Sequence, residues 1–431
     1  MSDRTRPAIA LAVLTGLNFL NYIDRSILFA VQSLIQREFA CTDTQIGFLT
    51  TAFFLCYMVS APLLGFLADR YPRRPIVITG AIVWSVATLM TAITWDYRTL
   101  LIRHTLVGIG EASFVATAPS YIADLFPEAR RGRMLSVFFM GIPAGTALGY
   151  LIGGYLGYAY SWRAPFYVVA APGLLLALAM WSVQEPRRGA QDTAPKSVKP
   201  AVSPSPATVW GGIAATLLGL ARNPAYWVAT LGMAFMTFAI GGLQVWMPMF
   251  LIRLRGLAPL HANLFFAVIT AVNGVVATLA GGWLADRMLQ RRADAYYVVS
   301  GVALAVSFPL AIAAIYLRGQ AMFPAIFLAE FCLLFNTGPL NAAVVDSVPS
   351  GIRATAIAVN LLVIHLLGDA FSPTLIGYVS DRTHSLQAGF VTALIAIIIA
   401  AAVLLWGKRF APPLGTEVVG GGPAVRVPAS E

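Results

Sequence analysis

The chain has 431 residues, 58% of them hydrophobic and only 11% charged, with a mean hydropathy of +0.75. Such a composition excludes a soluble globular domain and a disordered chain, and apolar runs of the length that crosses a bilayer, about 20 residues at 1.5 Å each, recur throughout. The net charge of +10 does not indicate nucleic acid, because the basic residues fall between the apolar runs and mostly on one side of them, as the positive-inside rule requires of a membrane protein.

Twelve runs are predicted, over 8–34, 45–67, 75–95, 98–122, 134–157, 164–183, 225–251, 261–284, 296–317, 322–345, 353–378 and 386–407. Continuous Leu, Ala, Ile and Gly, without alternation, argues helices and not a barrel. The expected fold is an all-α membrane protein. The first run is too long for a signal h-region, so no cleavable signal peptide is needed. It contains "LNFLNYIDRSILFAV", which puts Asp24 and Arg25 inside hydrocarbon. A bare charge there costs about 2.5 to 3.5 kcal/mol on insertion scales, so the pair marks a candidate working site.

After the second run comes "GFLADRYPRR" (65–74). Gly65 allows close helix approach, Asp69 suits the positive end of a neighbouring helix, and Arg70, Arg73 and Arg74 hold the cytoplasmic side. Making and breaking that contact could gate the inner face. The fourth run carries Arg103 and Glu111. By depth, Asp24 and Arg103 both fall in the outer third of the membrane, which makes Arg103 a candidate partner for Asp24. Helical side chains lean toward their own N-terminus, which sends Arg25 and Glu111 toward each other. The fifth run is rich in Gly141, Gly145, Gly149 and Gly153 around Pro143, a composition for bending and close packing.

Residues 185–208 are rich in Pro, Ser and basic groups and read as a cytoplasmic linker. Residues 209–224 read as a surface segment. The second half then repeats the first: "GGWLADRMLQRR" (281–292) echoes the 65–74 loop through Asp286 and Arg287, and "VPSGIRATAIAV" (348–359) echoes "FPEARRGRMLSV" (126–137). Duplicated six-span halves are a transporter pattern. The expected domains are therefore a six-helix bundle at 1–184, a linker at 185–224, a second bundle at 225–408 and a disordered tail at 409–431. Glu330, Asn336, His365 and Asp369 are the polar candidates of the second half. With the basic loops inside, both termini are cytoplasmic.

Cys41, Cys56 and Cys332 are widely spaced and read as packing residues. The four histidines show no metal-ligand spacing, and no cofactor is implied. "GIGEAS" is not a nucleophile elbow, so an enzyme is not expected.

"NYIDR" (21–25), "RHTLVGIGEASFVATAPSYIADLFP" (103–127), "GIPAGTALGYLIGG" (141–154), "FNTGPLNA" (335–342) and "HLLGDAFSPTLIGYVSDR" (365–382) together resemble the major facilitator superfamily and, within it, the Spinster-like group. The resemblance implies two pseudo-symmetric bundles around a central cavity that opens alternately to either side. It also implies transport of lysolipids, sphingoid phosphates or other amphipathic anions, with protons as coupling partner in bacterial members. On that reading Asp24 and Glu111 carry the proton, and Arg25 and Arg103 are anion or charge partners. The expected protein is a monomer of a bacterial inner membrane. A sugar-acid or carboxylate symporter is the alternative within the fold, and a transporter-like sensor the alternative outside that function.

Overall fold

A computed structural model describes residues 5–188, 217–349, 352–411 and the two-residue strands Thr416–Glu417 and Val425–Arg426. The side chain of Asp69, most of the 185–224 linker and most of the tail lie outside the described residues. Eleven helices among the described residues are long and apolar enough to cross a membrane, and Ala164–Met180 is a shorter apolar twelfth. They are numbered here as spans in chain order. Spans 1 to 6 are Thr5–Phe39, Asp43–Arg70, Arg73–Ala92, Tyr97–Leu125, Arg130–Ala159 and Ala164–Met180. Spans 7 to 12 are Pro224–Arg255, Pro259–Leu289, Ala295–Tyr316, Gly319–Asp346, Thr355–Thr383 and Leu386–Gly407.

The chain resolves into two compact units. The first holds residues 1–195 with 243–271 and 373–389, and the second holds 196–242, 272–372 and 390–431.

In the first unit spans 1 and 5 pack along their length. Gly141, Gly145, Gly149, Gly153 and Gly157 recur every fourth residue on span 5 and face span 1. That spacing keeps one helix face free of side chains, so backbone meets backbone. A Cβ on Gly149 would sit 2.6 Å from both the Ile23 carbonyl oxygen and Ser26 Cβ. The contact fixes span 1, which carries Asp24 and Arg25, against a rigid neighbour. Fully buried Trp84, Phe114, Tyr150 and Phe166 fill the remaining core of this unit.

In the second unit buried hydroxyls tie helices through carbonyls. Tyr226 donates to Ala356 O (2.8 Å), Tyr297 to Ala225 O (3.1 Å) and Ser307 to Ala329 O (3.1 Å). Span 11 is interrupted by a π-turn at His365–Asp369, where Gly368 adopts φ −97, ψ −107.

Gly149→Leu should overpack the span 1 contact and cost about 1 to 3 kcal/mol. The measurement is thermal unfolding of the detergent-purified variant. A melting temperature equal to wild type would show that the two backbones need not lie this close.

Candidate functional site

The charged centre lies in the first unit, on spans 1, 2, 3 and 4. Arg25 Nε donates to Glu111 Oε2 at 2.6 Å, with Glu111 fully buried and the Arg25 side chain 14% exposed. Four rings surround the guanidinium: Tyr22, Phe53, Phe54 and Tyr57, with centroids 5.0 to 5.6 Å away. Ring faces are electron-rich, so they stabilise a cation that has lost its water. Phe53, Phe54 and Tyr57 are at i, i+1 and i+4 on span 2, a spacing that brings the first and third onto one face.

Asp24, 1% exposed, projects about 100° around span 1 from Arg25, so the two adjoin the same cavity without pairing directly. The partner of Asp24 is the hydroxyl of Thr88 on span 3, which donates to Oδ2. Oδ1 has no hydrogen-bond partner among the described residues. Asp24, Arg25 and Glu111 line one small cavity with Thr50, Phe53 and His104. It offers about 10 Å³, which is room for one water at most.

Arg103 is not beside Asp24. Its Nη1 donates to the Ile93 and Met90 carbonyls at 3.0 and 3.3 Å, and its guanidinium lies 4.5 Å from the Trp95 ring. The reason is local. The last carbonyls of a helix have no intrahelical donor, and a long cationic side chain reaches the membrane edge more cheaply than a buried acid. Arg103 therefore caps the end of span 3, and Arg25 is the cation of the buried centre.

The 65–74 loop is also built differently from a row of surface anchors. Arg70 is exposed, over the Phe66 ring. Arg73 is 4% exposed and donates from Nη2 to Asp124 Oδ2 at 2.7 Å. The backbone N–H groups of Arg73 and Arg74 donate to Glu185 at 2.6 and 3.2 Å, so a carboxylate from beyond span 6 caps the N-terminus of span 3. Arg74 Nη1 reaches Val183 O, and Gly65 is half-buried. In the second half Asp286 accepts from Tyr296 at 3.2 Å, and Arg287 lies 5.8 Å from the Trp283 ring. Asp124 and Glu185 were not singled out from sequence, although "QEPRR" at 184–188 places an acid directly after the sixth apolar run.

The remaining candidates are dispersed over two spans. Glu330 accepts from Asn273 Nδ2 at 3.3 Å. Asn336 donates to Cys332 O and Leu333 O, at the break in span 10. His365 Nδ1 lies 3.0 Å from Asp369 Oδ1, one turn apart across the π-turn of span 11.

A further cluster of the first unit was missed from sequence, at the end of the spans opposite the 65–74 loop. Asp43 accepts from Gln36 (2.7 Å), Arg253 (2.8 Å) and Ser380 (2.6 Å). Asp381 accepts from the backbone N–H of Asp43 and Thr44, at 2.9 and 2.8 Å. It thus occupies the positive N-terminus of span 2. The Thr51 and Thr374 hydroxyls meet at 2.6 Å, and Gly47 and Gly377 leave room for the opposing backbones. Spans 1 and 2 are joined here to the ends of spans 7 and 11. Between spans 1 and 2, burial pushes the Cys41 thiol up to about 11, so it is an inert packing group.

The family model of the Major Facilitator Superfamily matches residues 14–373. Protein spinster homolog 1 of Mus musculus is 36% identical over 400 residues, 88% of this chain and 74% of the relative. The sphingosine-1-phosphate transporter SPNS2 of Danio rerio is 32% identical over 410 residues, 90% of this chain and 78% of that one. The crystal structure of a bacterial homolog to the human lysosomal transporter Spinster, inward-facing and unoccupied, superposes with a TM-score of 0.85 at 25% identity, covering 95% of this chain and 98% of that one. A D-xylose–proton symporter shares the fold at 18% identity, with a TM-score of 0.73 over 94% and 98% of the two chains.

Arg73→Ala should cost about 1.5 to 3 kcal/mol, because it removes a buried guanidinium and its charged hydrogen bond to the half-buried Asp124, whereas exposed Arg70→Ala should change stability by no more than about 0.5 kcal/mol. Thermal unfolding of both variants in one detergent is the comparison. Equal effects would return Arg73 to the role of a surface anchor.

Proposed function

This chain belongs to the Major Facilitator Superfamily, and within it to the Spinster-like group of membrane transporters, and we propose that it moves an amphipathic organic anion of lysolipid type, coupled to protons, by alternating access. The observation that carries the reading is a charge imbalance. Two carboxylates, Asp24 and Glu111, are buried beside one cation, Arg25. One cation balances one carboxylate. The second is stable in a dry site only with a proton or another positive group, because an unpaired buried charge is expensive. A proton that arrives and leaves with the transport cycle meets that requirement, and an anionic headgroup can then compete for the exposed edge of Arg25.

The lysolipid class is supported by the apolar and aromatic surroundings of that single cation and by the sphingosine-1-phosphate transporter among the relatives. In the proposed cycle the bundles 1–184 and 225–408 rock with both termini in the cytoplasm of a bacterial cell, the protein working as a monomer. The Asp43 and Asp381 contacts form the outer closure, and Asp69 serves the inner gate, with Asp286 and Arg287 as its second-half counterparts. Glu330, Asn336, His365 and Asp369 remain candidates for the second-half wall.

If Glu111 carries the coupling proton, Glu111→Gln should abolish pH-gradient-driven accumulation in proteoliposomes while substrate counterflow continues, since exchange moves no net proton. Both assays need equal folded amounts of wild type and variant. Full gradient-driven accumulation by Glu111→Gln would remove Glu111 from the coupling role.

The outer closure has a separate test. With the three native cysteines replaced, a Thr51→Cys/Thr374→Cys pair should cross-link under oxidant, and counterflow should stop until a reductant is added. Transport that proceeds through the cross-linked form would show that this contact does not open in the cycle.

A further inference from the structure

The second unit contains a groove that the charged centre does not use. It is lined by Leu284 and Met288 of span 8, Val302 and Val306 of span 9, and Phe331 and Phe335 of span 10. Its volume is about 300 Å³, at the lower end of small-ligand pockets. Val302 and Val306 are 49% and 48% exposed, so the groove opens sideways, away from the core of its unit. From Val298 to Val306 it follows span 9 for about 12 Å, at 1.5 Å per residue. No charged side chain lines it.

In a spanning protein the medium at this depth is hydrocarbon. A narrow apolar slot left empty forfeits dispersion contacts on its lining, and an acyl chain is the object of matching shape and polarity that surrounds it. The end of the slot narrows the choice. Leu284, Arg287 and Met288 are spaced i, i+3, i+4, which is one stripe of span 8, and Arg291 follows in the turn two residues past the helix end at Leu289. The chain turns just beyond, with the N–H groups of Arg291 and Arg292 both donating to Met288 O at 2.9 and 3.0 Å. The stripe that floors the groove therefore carries Arg287 near its end, and the turn that follows carries Arg291.

The other charges of that loop are committed. Arg292 donates to both oxygens of Asp294, at 2.7 and 2.9 Å, and those bonds hold the Asp294 carboxyl below the usual carboxylate range. Asp286 accepts from Tyr296. Arg287 lies 5.8 Å from the Trp283 ring, and among the described residues no ion pair joins it or Arg291 to an acid. Uncommitted guanidinium groups at the mouth of an apolar inter-helical groove suit an anionic lipid headgroup.

We propose that this groove is a binding site for one acyl chain of a resident anionic phospholipid, with its headgroup held by Arg287 and Arg291. The site rests on the membrane-spanning fold and not on proton coupling or on the nature of the transported anion.

The test uses the full chain, stripped of lipid in detergent and titrated with phosphatidylglycerol or phosphatidylcholine. Native mass spectrometry counts bound lipid, and thermal unfolding reports its linkage to the folded state. Wild type should retain one phosphatidylglycerol at concentrations where phosphatidylcholine is lost, and gain several degrees more in melting temperature from it. Val302→Trp, which fills the groove from its lipid-facing side, and Arg291→Ala should each lower the apparent affinity for phosphatidylglycerol about tenfold. Equal retention of the two lipids by wild type would overturn the headgroup assignment, and undiminished binding by Val302→Trp would overturn the groove. The comparison of the two lipids on wild type needs no substitution, so it decides even if a variant fails to fold.

Discussion

The constraint on which the first unit depends is the cost of keeping charge out of water. Arg25 and Glu111 satisfy it by direct contact at 2.6 Å. Four aromatic rings take the place of the water that would surround a guanidinium. That arrangement demands fixed helices, since a salt bridge in a low-dielectric site offsets its desolvation only with good geometry. The glycine face of span 5 supplies part of the rigidity by letting span 1 lie backbone against backbone. Ser113 and Thr117, next along span 4 from Glu111, satisfy their hydroxyls within their own helix and add no competing polar group to the centre.

The number of spans was legible in the sequence because hydrocarbon thickness imposes a length, and apolar runs of that length stand out from charged loops. Buried ion pairs were legible for a related reason. A charge in an apolar run is costly enough to announce itself, and the lean of helical side chains relates Arg25 to Glu111. Depth alone misplaced Arg103. It gave the right height but no account of unsatisfied carbonyls at the end of span 3, which compete for the same guanidinium. Thr88 could not be found at all, since a threonine in an apolar run costs little and carries no signal. The same is true of the aromatic cage, because Phe and Tyr are unremarkable in a membrane helix until a cation is seen among them.

Polar clusters at helix ends were illegible for a different reason. Asp43, Asp381, Asp124 and Glu185 stand where charged residues are expected on topological grounds, so nothing separates a working contact from a solvated loop. What reveals them is the pairing of a carboxylate with backbone N–H groups at a helix N-terminus, which needs coordinates. Glu185 does this for span 3 and Asp381 for span 2. Both exploit the positive end of the helix dipole, and both come from sequence far from the helix they cap.

These contacts differ in what can happen to them during a cycle of the proposed kind. Arg73, Asp124 and Glu185 join spans 3, 4 and the segment after span 6, all within one half of the sequence. Nothing in rocking between halves requires them to part, and the buried Arg73 guanidinium would lose its charged partners if they did. Asp381 and Ser380 join span 11 to the start of span 2, and Arg253 joins span 7 to it, so these contacts cross between halves. They lie at span ends and are buried while closed, Asp43 7% and Ser380 4% exposed, so opening them returns a carboxylate to water that can replace its lost hydrogen bonds. Arg25 and Glu111 fall in a third class, because spans 1 and 4 belong to one half while the pair lies away from bulk water. Separating such a pair with both groups charged is costly, whereas transfer of a proton neutralises one of them, and that is the physical reason to look for coupling at the dry centre and for gating at the span ends.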